Sequence, residues 1–232
     1  MEKLFKLFRI QCEDLVVLAE MEWNGMVFDA GGARNKAREL QTKCDELVER
    51  FKNLTSCEFG NIGSGSFCSV ILYGGTIEEE LRIPIGVFKT GAKKGQVRYK
   101  REIVSHGFPR LVEPPKDQET AKSVKRREDG EAETPTEWGV SEPVLKKLRA
   151  TGLAKKIIQT ILEYRELEKL RGTYLEGWSN LIDEQHWGKD MIHGQLNQCV
   201  AQTGRIASSK PNLQNADKET KKFLISRYKN DS

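Results

Sequence analysis

No run of this 232-residue sequence approaches the roughly 20 consecutive apolar residues that a membrane-spanning helix requires. Residues 1–10 are amphipathic and basic, yet too short and too charged for a secretory signal. Cysteine is scarce and badly spaced for chemistry. Cys12, Cys44, Cys57, Cys68 and Cys199 are odd in number and form no CxxC or Cys/His ligand pattern. That excludes a simple disulfide framework and argues against a zinc site, so they read as reduced thiols in a cytoplasmic protein. A large excess of one charge is missing too. The net charge is +4 and the pI about 8.7, too little alone to imply a polyanionic partner. With 31% charged residues and a mean hydropathy of −0.58, the composition is that of a soluble chain with a modest core, enough for one or two domains.

What charge there is, is segregated. Residues 89–127 carry 12 Lys/Arg against 4 Asp/Glu, whereas residues 13–58 are net acidic. A basic block is either an electrostatic footprint for phosphate or a solvated linker, and composition leaves both open.

Periodicity places the elements. Leu4, Leu7, Phe8, Leu15, Leu18 and Ala19 predict a helix over residues 4–22. An Asn24-Gly25 turn and a short extended piece follow, and Asp29 is positioned to cap a second helix over residues 32–54. That helix is highly charged, with one stripe of Leu40, Cys44, Leu47, Val48 and Phe51. Residues 61–66 read as a small flexible loop before a short helix, residues 67–73. Backbone N–H groups at such an entry suit a phosphate, but the feature alone is weak. Residues 83–88 and 96–104 flank a Thr90-Gly91-Ala92-Lys93-Lys94-Gly95 turn and predict a β-hairpin with Lys and Arg outward. Residues 109–135 have little apolar content and read as a mobile connector. Ser141 and Pro143 open a helix over residues 144–151, ended at Gly152. Residues 153–178 form the longest periodic segment, with Ile157, Ile158, Ile161, Leu162, Leu167, Leu170, Tyr174 and Leu175 inward. Its charged face reads as solvated, with Glu and Arg/Lys alternating, or as a surface for a sugar-phosphate strand near Arg171-Gly172-Thr173-Tyr174. A strand over residues 191–202 is expected next.

Residues 203–215, Thr203-Gly204-Arg205-Ile206-Ala207-Ser208-Ser209-Lys210-Pro211-Asn212-Leu213-Gln214-Asn215, have little to give a core. They offer a cation, two hydroxyls, a turn-forming Lys-Pro-Asn and several amides, the groups that meet phosphodiester oxygens or base edges. A polar surface loop is the plainer reading of the same composition.

With the preceding Gln198-Cys199-Val200-Ala201-Gln202, this stretch closely resembles the first palm motif of family A DNA polymerases. That motif runs approximately His-Gln-x-x-Thr-x-Thr-Gly-Arg-Leu-Ser-Ser-x-x-Pro-Asn-Leu-Gln-Asn. Three further pieces stand in the family's order. Met21-Glu22-Trp23-Asn24-Gly25-Met26-Val27-Phe28-Asp29 resembles the entry to the thumb, residues 61–72 the thumb tip, and residues 157–174 the last thumb helix. The resemblance covers the chain apart from the basic insertion near 84–136. It implies an α+β, mainly α fold: a long-helix thumb arm with a basic β-hairpin insertion, followed by the first strand segment of an incomplete palm. The divisions expected are residues 1–83 (first thumb helices and tip), 84–136 (hairpin and connector), 137–180 (last thumb helices) and 181–232 (start of palm).

The resemblance also implies roles. Arg205 would sense the primer terminus and incoming nucleotide. Gln198, Thr203, Asn212, Gln214 and Asn215 would lie along the template–primer minor groove, whose acceptors are common to all correct base pairs. Ser64, Ser66, Arg171, Thr173 and Tyr174 would meet the primer backbone; Ser64-Gly65-Ser66 departs from the family's Ser-Pro-Lys and loses a phosphate-binding lysine. The expected partner is double-stranded primer–template DNA, with no membrane. Two-metal phosphoryl transfer needs palm carboxylates. Asp231 precedes the family's first carboxylate position and lacks the Tyr-Ser-Gln that follows it, so no catalytic residue is assigned. Mg2+ is expected in a complete enzyme and not on this chain, and the chain alone is expected to be inactive. A complementing chain with palm and fingers is therefore an expected partner, and a separate exonuclease or processivity factor a further one. The expected setting is a bacteriophage enzyme in the cytoplasm of a bacterial host. A non-catalytic DNA clamp and an inactive polymerase fragment are the alternatives.

Overall fold

Two local devices fix how the chain enters its first helical hairpin. Gly25 has φ +59°, and a Cβ there would lie 2.8 Å from the Ile192 carbonyl oxygen, so only glycine makes this turn. Four residues on, the Asp29 Oδ1 accepts the Gly32 N–H at 2.8 Å, as the sequence predicts for a cap. The computed structural model describes residues 2–87, 90–91, 94–132, 136–198, 200 and 205–226.

In chain order the elements are α1 (Glu2–Asn24), β1 (Met26–Phe28), α2 (Ala30–Thr55), α3 (Gly65–Tyr73), β2 (Gly75–Val87), β3 (Val97–Phe108), α4 (Ala121–Glu128), α5 (Glu142–Lys147) and α6 (Gly152–Glu168). A π-helical segment, Lys169–Glu176, leads into α7 (Gly177–Glu184). Then come β4 (Met191–Ile192), β5 (Gln195–Asn197), β6 (Ala207–Ser209), a 3-10 turn (Leu213–Asn215), α8 (Lys218–Lys221) and β7 (Leu224–Ile225). The fold is mixed, mostly helical with small antiparallel sheets. It divides into two units: Met1–Cys44 with Glu166–Ser232, and Asp45–Arg165.

In the first unit, β1 is the central strand of a three-stranded antiparallel sheet ordered β4-β1-β7. Phe28 is 0% exposed and meets Trp178 edge-on with ring centroids 5.5 Å apart. Ala33, Ala37 and Leu40 of α2, with Tyr174 and Leu175, complete this core. Among the described side chains of α1 only Leu18 is buried; Phe5, Phe8, Leu15, Val16 and Trp23 are exposed, Trp23 at 85%.

In the second unit, Phe51, Phe67, Leu72 and Tyr73 pack with Leu145, Ile157 and Ile161. The β2–β3 hairpin is rooted in this core by Ile77 and Phe108, and both strands are exposed beyond Glu79 and Val104. Cys57 and Cys68 are buried, each S–H donating to a backbone carbonyl at 3.0 Å. Burial pushes the Cys68 thiol up to about 11 and raises Cys57 as well. Since the thiolate is the nucleophile, iodoacetamide at pH 8 is expected to modify exposed Cys12 well before either. Peptide mass spectrometry reads this; native Cys68 reacting as fast as Cys12 would contradict the packing. Cys199 lies outside the described residues.

Four expectations need correction, besides shifts at helix ends. The hairpin strands start at Gly75 and end at Phe108, beyond residues 83–88 and 96–104, because Ile77↔His106 and the pairs next to them continue the ladder into the core. Residues 61–66 are not simply a flexible loop: Asn61 Oδ1 accepts the Gly63 N–H at 2.7 Å, Ser64 caps α3, and Ser66 already lies inside that helix. Residues 109–135 are not a featureless connector, for they contain α4. Ser123, 0% exposed, donates to Glu119 at 2.7 Å and accepts the Thr136 N–H at 2.9 Å. Arg127 grips both oxygens of Glu119 at 3.0 and 2.6 Å. A polar node thus does there what apolar contacts do elsewhere. Finally, the strand over residues 191–202 is broken after Ile192. His193 Nδ1 hydrogen-bonds the Glu22 carbonyl at 2.8 Å, and Gly194 lies against Leu213, redirecting the chain from the β1 sheet into a separate β5–β6 pair. Helix ends shift as well: α5 covers Glu142–Lys147, not residues 144–151.

Candidate nucleic-acid interface

β5 and β6 pair antiparallel, with Gln195 opposite Ser209 and Asn197 opposite Ala207. Beyond β6 the chain reverses sharply at Lys210-Pro211, where Lys210 has φ +48°. The reversal is organised by Ser208, 7% exposed. Its hydroxyl donates to the Pro211 carbonyl at 3.1 Å and accepts the Leu213 N–H at 3.3 Å. Asn212 then caps the 3-10 turn: its Oδ1 accepts the N–H groups of Gln214 and Asn215 at 3.2 and 3.3 Å. The Gln214 amide donates to the Ile206 carbonyl at 2.8 Å, closing the loop beside Arg205. The Tyr174 hydroxyl donates to the Asn215 carbonyl at 2.9 Å.

The loop is therefore a rigid, internally hydrogen-bonded platform. Arg205, Asn212, Gln214 and Asn215 are all exposed on it. Among the described residues, Arg205 has no hydrogen-bond or ion-pair partner. Gln198 is half-buried just past β5. Thr203 lies outside the described residues, as does Asp231.

Arg171 is different. Its guanidinium takes Glu168 bidentately at 3.0 and 2.7 Å and Glu176 at 2.7 Å, and its side chain is only 17% exposed. These partners, Glu168 first, raise its pKa still further. The surrounding charge is net negative, so a phosphate at Arg171 would have to displace a carboxylate. Thr173 is exposed on the same π-helical segment, while Tyr174 is buried apart from its link to the platform.

Ser64 and Ser66 belong to the other unit. Ser64 Oγ accepts the Phe67 N–H at 3.4 Å and Ser66 Oγ donates to Glu137 at 2.9 Å. Both hydroxyls are engaged in local structure.

The platform depends on residues that motif reading did not single out. The Glu22 carboxylate accepts the Leu196 N–H and so ties α1 to β5; its place in the Met21-Glu22-Trp23 piece was the available signal. Ser208 had none beyond its motif position, and His193 lies outside the motif pieces and had none. An open apolar groove of about 340 Å3 lies beside the platform, lined by Leu18, Met21, Ile192, Leu196, Ile206 and Leu213. Among the described residues no group of three or more His, Cys, Asp or Glu side chains is placed to hold a metal. No described helix is long and apolar enough to cross a membrane.

Residues 117–228 match the profile of DNA polymerase family A. The DNA polymerase I of Bacillus subtilis (strain 168) is 27% identical over 200 residues, 86% of this chain but 16% of that protein. Locally the likeness is higher. The DNA polymerase I of Geobacillus stearothermophilus is 42% identical over 82 residues, 35% of this chain and 9% of the relative. The thermostable DNA polymerase I of Thermus aquaticus is 41% identical over 86 residues, 37% of this chain and 10% of the relative. A solved structure of the polymerase domain of Pol1 from M. smegmatis, in complex with DNA primer-template and dNTP, superposes with a TM-score of 0.55 at 20% identity. The match covers 89% of this chain and 27% of that one, a likeness of fold. The chain thus spans a small fraction of the curated relatives it matches. Sequence profile and relatives agree that this chain carries a family A DNA polymerase-like region, matched by the profile over residues 117–228, and the solved structure shares its fold.

Proposed function

We propose that this chain is the thumb and first palm segment of a bacteriophage DNA polymerase, and that it holds primer–template duplex and inspects the primer terminus during replication. The observation that carries the reading is the platform of residues 205–215, whose turn is held by internal hydrogen bonds while Arg205, Gln214 and Asn215 stand exposed. A cation and amides on a fixed surface match the minor-groove acceptors shared by all correct pairs, so they test pair geometry without reading sequence. Thr203 and Gln198 would extend the same contact. Thr173 would meet the primer backbone, Arg171 only after exchanging a glutamate for phosphate, and Ser64 and Ser66 only through their remaining hydrogen-bonding capacity. Nucleotidyl transfer itself is assigned to palm carboxylates, Mg2+ and fingers outside the described residues, whichever chain carries them. The M. smegmatis protein, solved with primer-template, lends support for the DNA partner.

The test is binding of the chain to a duplex with a recessed 3′ end against a blunt duplex, by fluorescence anisotropy. Duplex affinity is expected to be weak and steeply salt-dependent, with a preference for the recessed end. Arg205→Ala should remove that preference while changing the salt slope by no more than about one. Persistence of the preference in Arg205→Ala would refute the assignment.

A further inference from the structure

The β2–β3 hairpin divides its charge along its length. Near the core it carries Glu78, Glu79, Glu80 and Glu102. Between residues 81 and 101 there is no Asp or Glu and there are seven Lys/Arg. β2 alone is 13 residues long, so the ribbon reaches about 40 Å at roughly 3.4 Å per residue.

The ladder register assigns faces. Arg82 stands opposite Arg101, on the face of Glu80 and Tyr99; Lys100 stands opposite Ile83, on the other face, with Arg98 two residues away. Like charges directly opposite each other weaken a ladder. Here one carboxylate, Glu80, serves both arginines, at 3.3 Å from Arg101 and 3.8 Å from Arg82. Among the described residues Arg98 and Lys100 have no ion-pair partner. Glu102, two residues from Lys100, is the nearby carboxylate on that second face, so each face carries two cations to one nearby carboxylate. All four cations and Tyr99 are exposed.

A ribbon with a net positive charge on both sides fits a slot with negative walls on both sides. A membrane surface or an acidic protein patch would draw on one face only. The major groove of B-DNA is such a slot: it is bounded by two phosphate strands and wide enough for a two-stranded β-ribbon. In duplex RNA the corresponding groove is deep and narrow. We propose that the distal β2–β3 ribbon is a second duplex-DNA contact, lying in the major groove with Arg82 and Arg101 toward one backbone and Arg98 and Lys100 toward the other. The contact is electrostatic and sequence-independent, a tether that keeps duplex close whatever its sequence. It shares with the proposed function the reading of this chain as a DNA binder, but not the role of Arg205.

The test uses two double variants of the whole chain, Arg82→Ala/Arg101→Ala and Arg98→Ala/Lys100→Ala, in anisotropy titrations with blunt duplex DNA over a range of chloride concentrations. Each is expected to weaken binding about tenfold and to lower the slope of log affinity against log salt by about 2. The matching substitutions to the other cation (Arg→Lys, Lys→Arg) should restore most of both, and duplex RNA should compete poorly. Unchanged affinity in both doubles overturns the proposal. So does an effect confined to one face, failure of the charge-preserving variants to restore binding, or equal competition by duplex RNA. Loss of binding to phosphatidylserine vesicles with DNA binding intact overturns it in favour of a membrane surface. Because Arg205→Ala reads end preference and the doubles read salt slope, either reading can fail without the other.

Discussion

Phe28→Ala is expected to lower the unfolding free energy by about 3–5 kcal/mol, the range for deleting a fully buried phenylalanine. Phe28 closes the central strand of the small sheet, edge-on to Trp178 and 6.3 Å from Phe223. Each such aromatic contact adds about 0.5–1.5 kcal/mol beyond area burial. The three strands have only two or three residues apiece, so little ladder remains to hold the sheet once that ring is gone. Urea titration followed by circular dichroism measures the loss, and Phe28→Leu should recover most of it. A loss under about 1 kcal/mol would mean the sheet does not depend on this ring.

Ser208→Ala should cost about 1–3 kcal/mol, because it strands a buried Pro211 carbonyl and the Leu213 N–H. Its neighbour makes the control. Ser209 is only half-buried and shares its hydroxyl with Asn197 and Gln195, so Ser209→Ala should stay within about 0.5 kcal/mol. Ser208→Ala should also reduce end preference in the anisotropy assay without itself reaching the duplex, since it loosens the turn that aims Asn212 and Gln214. Equal effects of the two alanines would remove Ser208 from the positioning role.

These two residues show what was legible beforehand. Phe28 sits in a short extended piece that an Asn-Gly turn announced, and Asp29 was readable as a cap from its place before a periodic stripe. The residues 203–215 motif was legible as chemistry, yet its shape was not: nothing local says that Ser208 turns inward while Ser209 stays out. Residues 109–135 misled because apolar content is a poor guide where Glu119, Ser123 and Arg127 satisfy one another. Arg171 misled for a different reason. Its outward placement assumed 3.6 residues per turn throughout, and the π-helical segment from Lys169 changes the phase, bringing Glu176 as well as Glu168 to the guanidinium. The hairpin's turn was legible, whereas its reach depended on pairing residues as far apart as Gly75 and Phe108, which periodicity does not register.

The bare face of α1 has a practical corollary for every titration above. Phosphate contacts weaken as salt rises, but burial of Phe5, Phe8, Leu15 and Trp23 strengthens, most of all in sulfate. Ionic strength thus pulls on the proposed DNA contacts and on this apolar face in opposed directions. A curve taken in sodium chloride reports mainly the cations, and one in ammonium sulfate mainly the aromatics. The same protein would look like a weak, salt-sensitive ligand of DNA in one buffer and a sticky, poorly dispersed solute in the other.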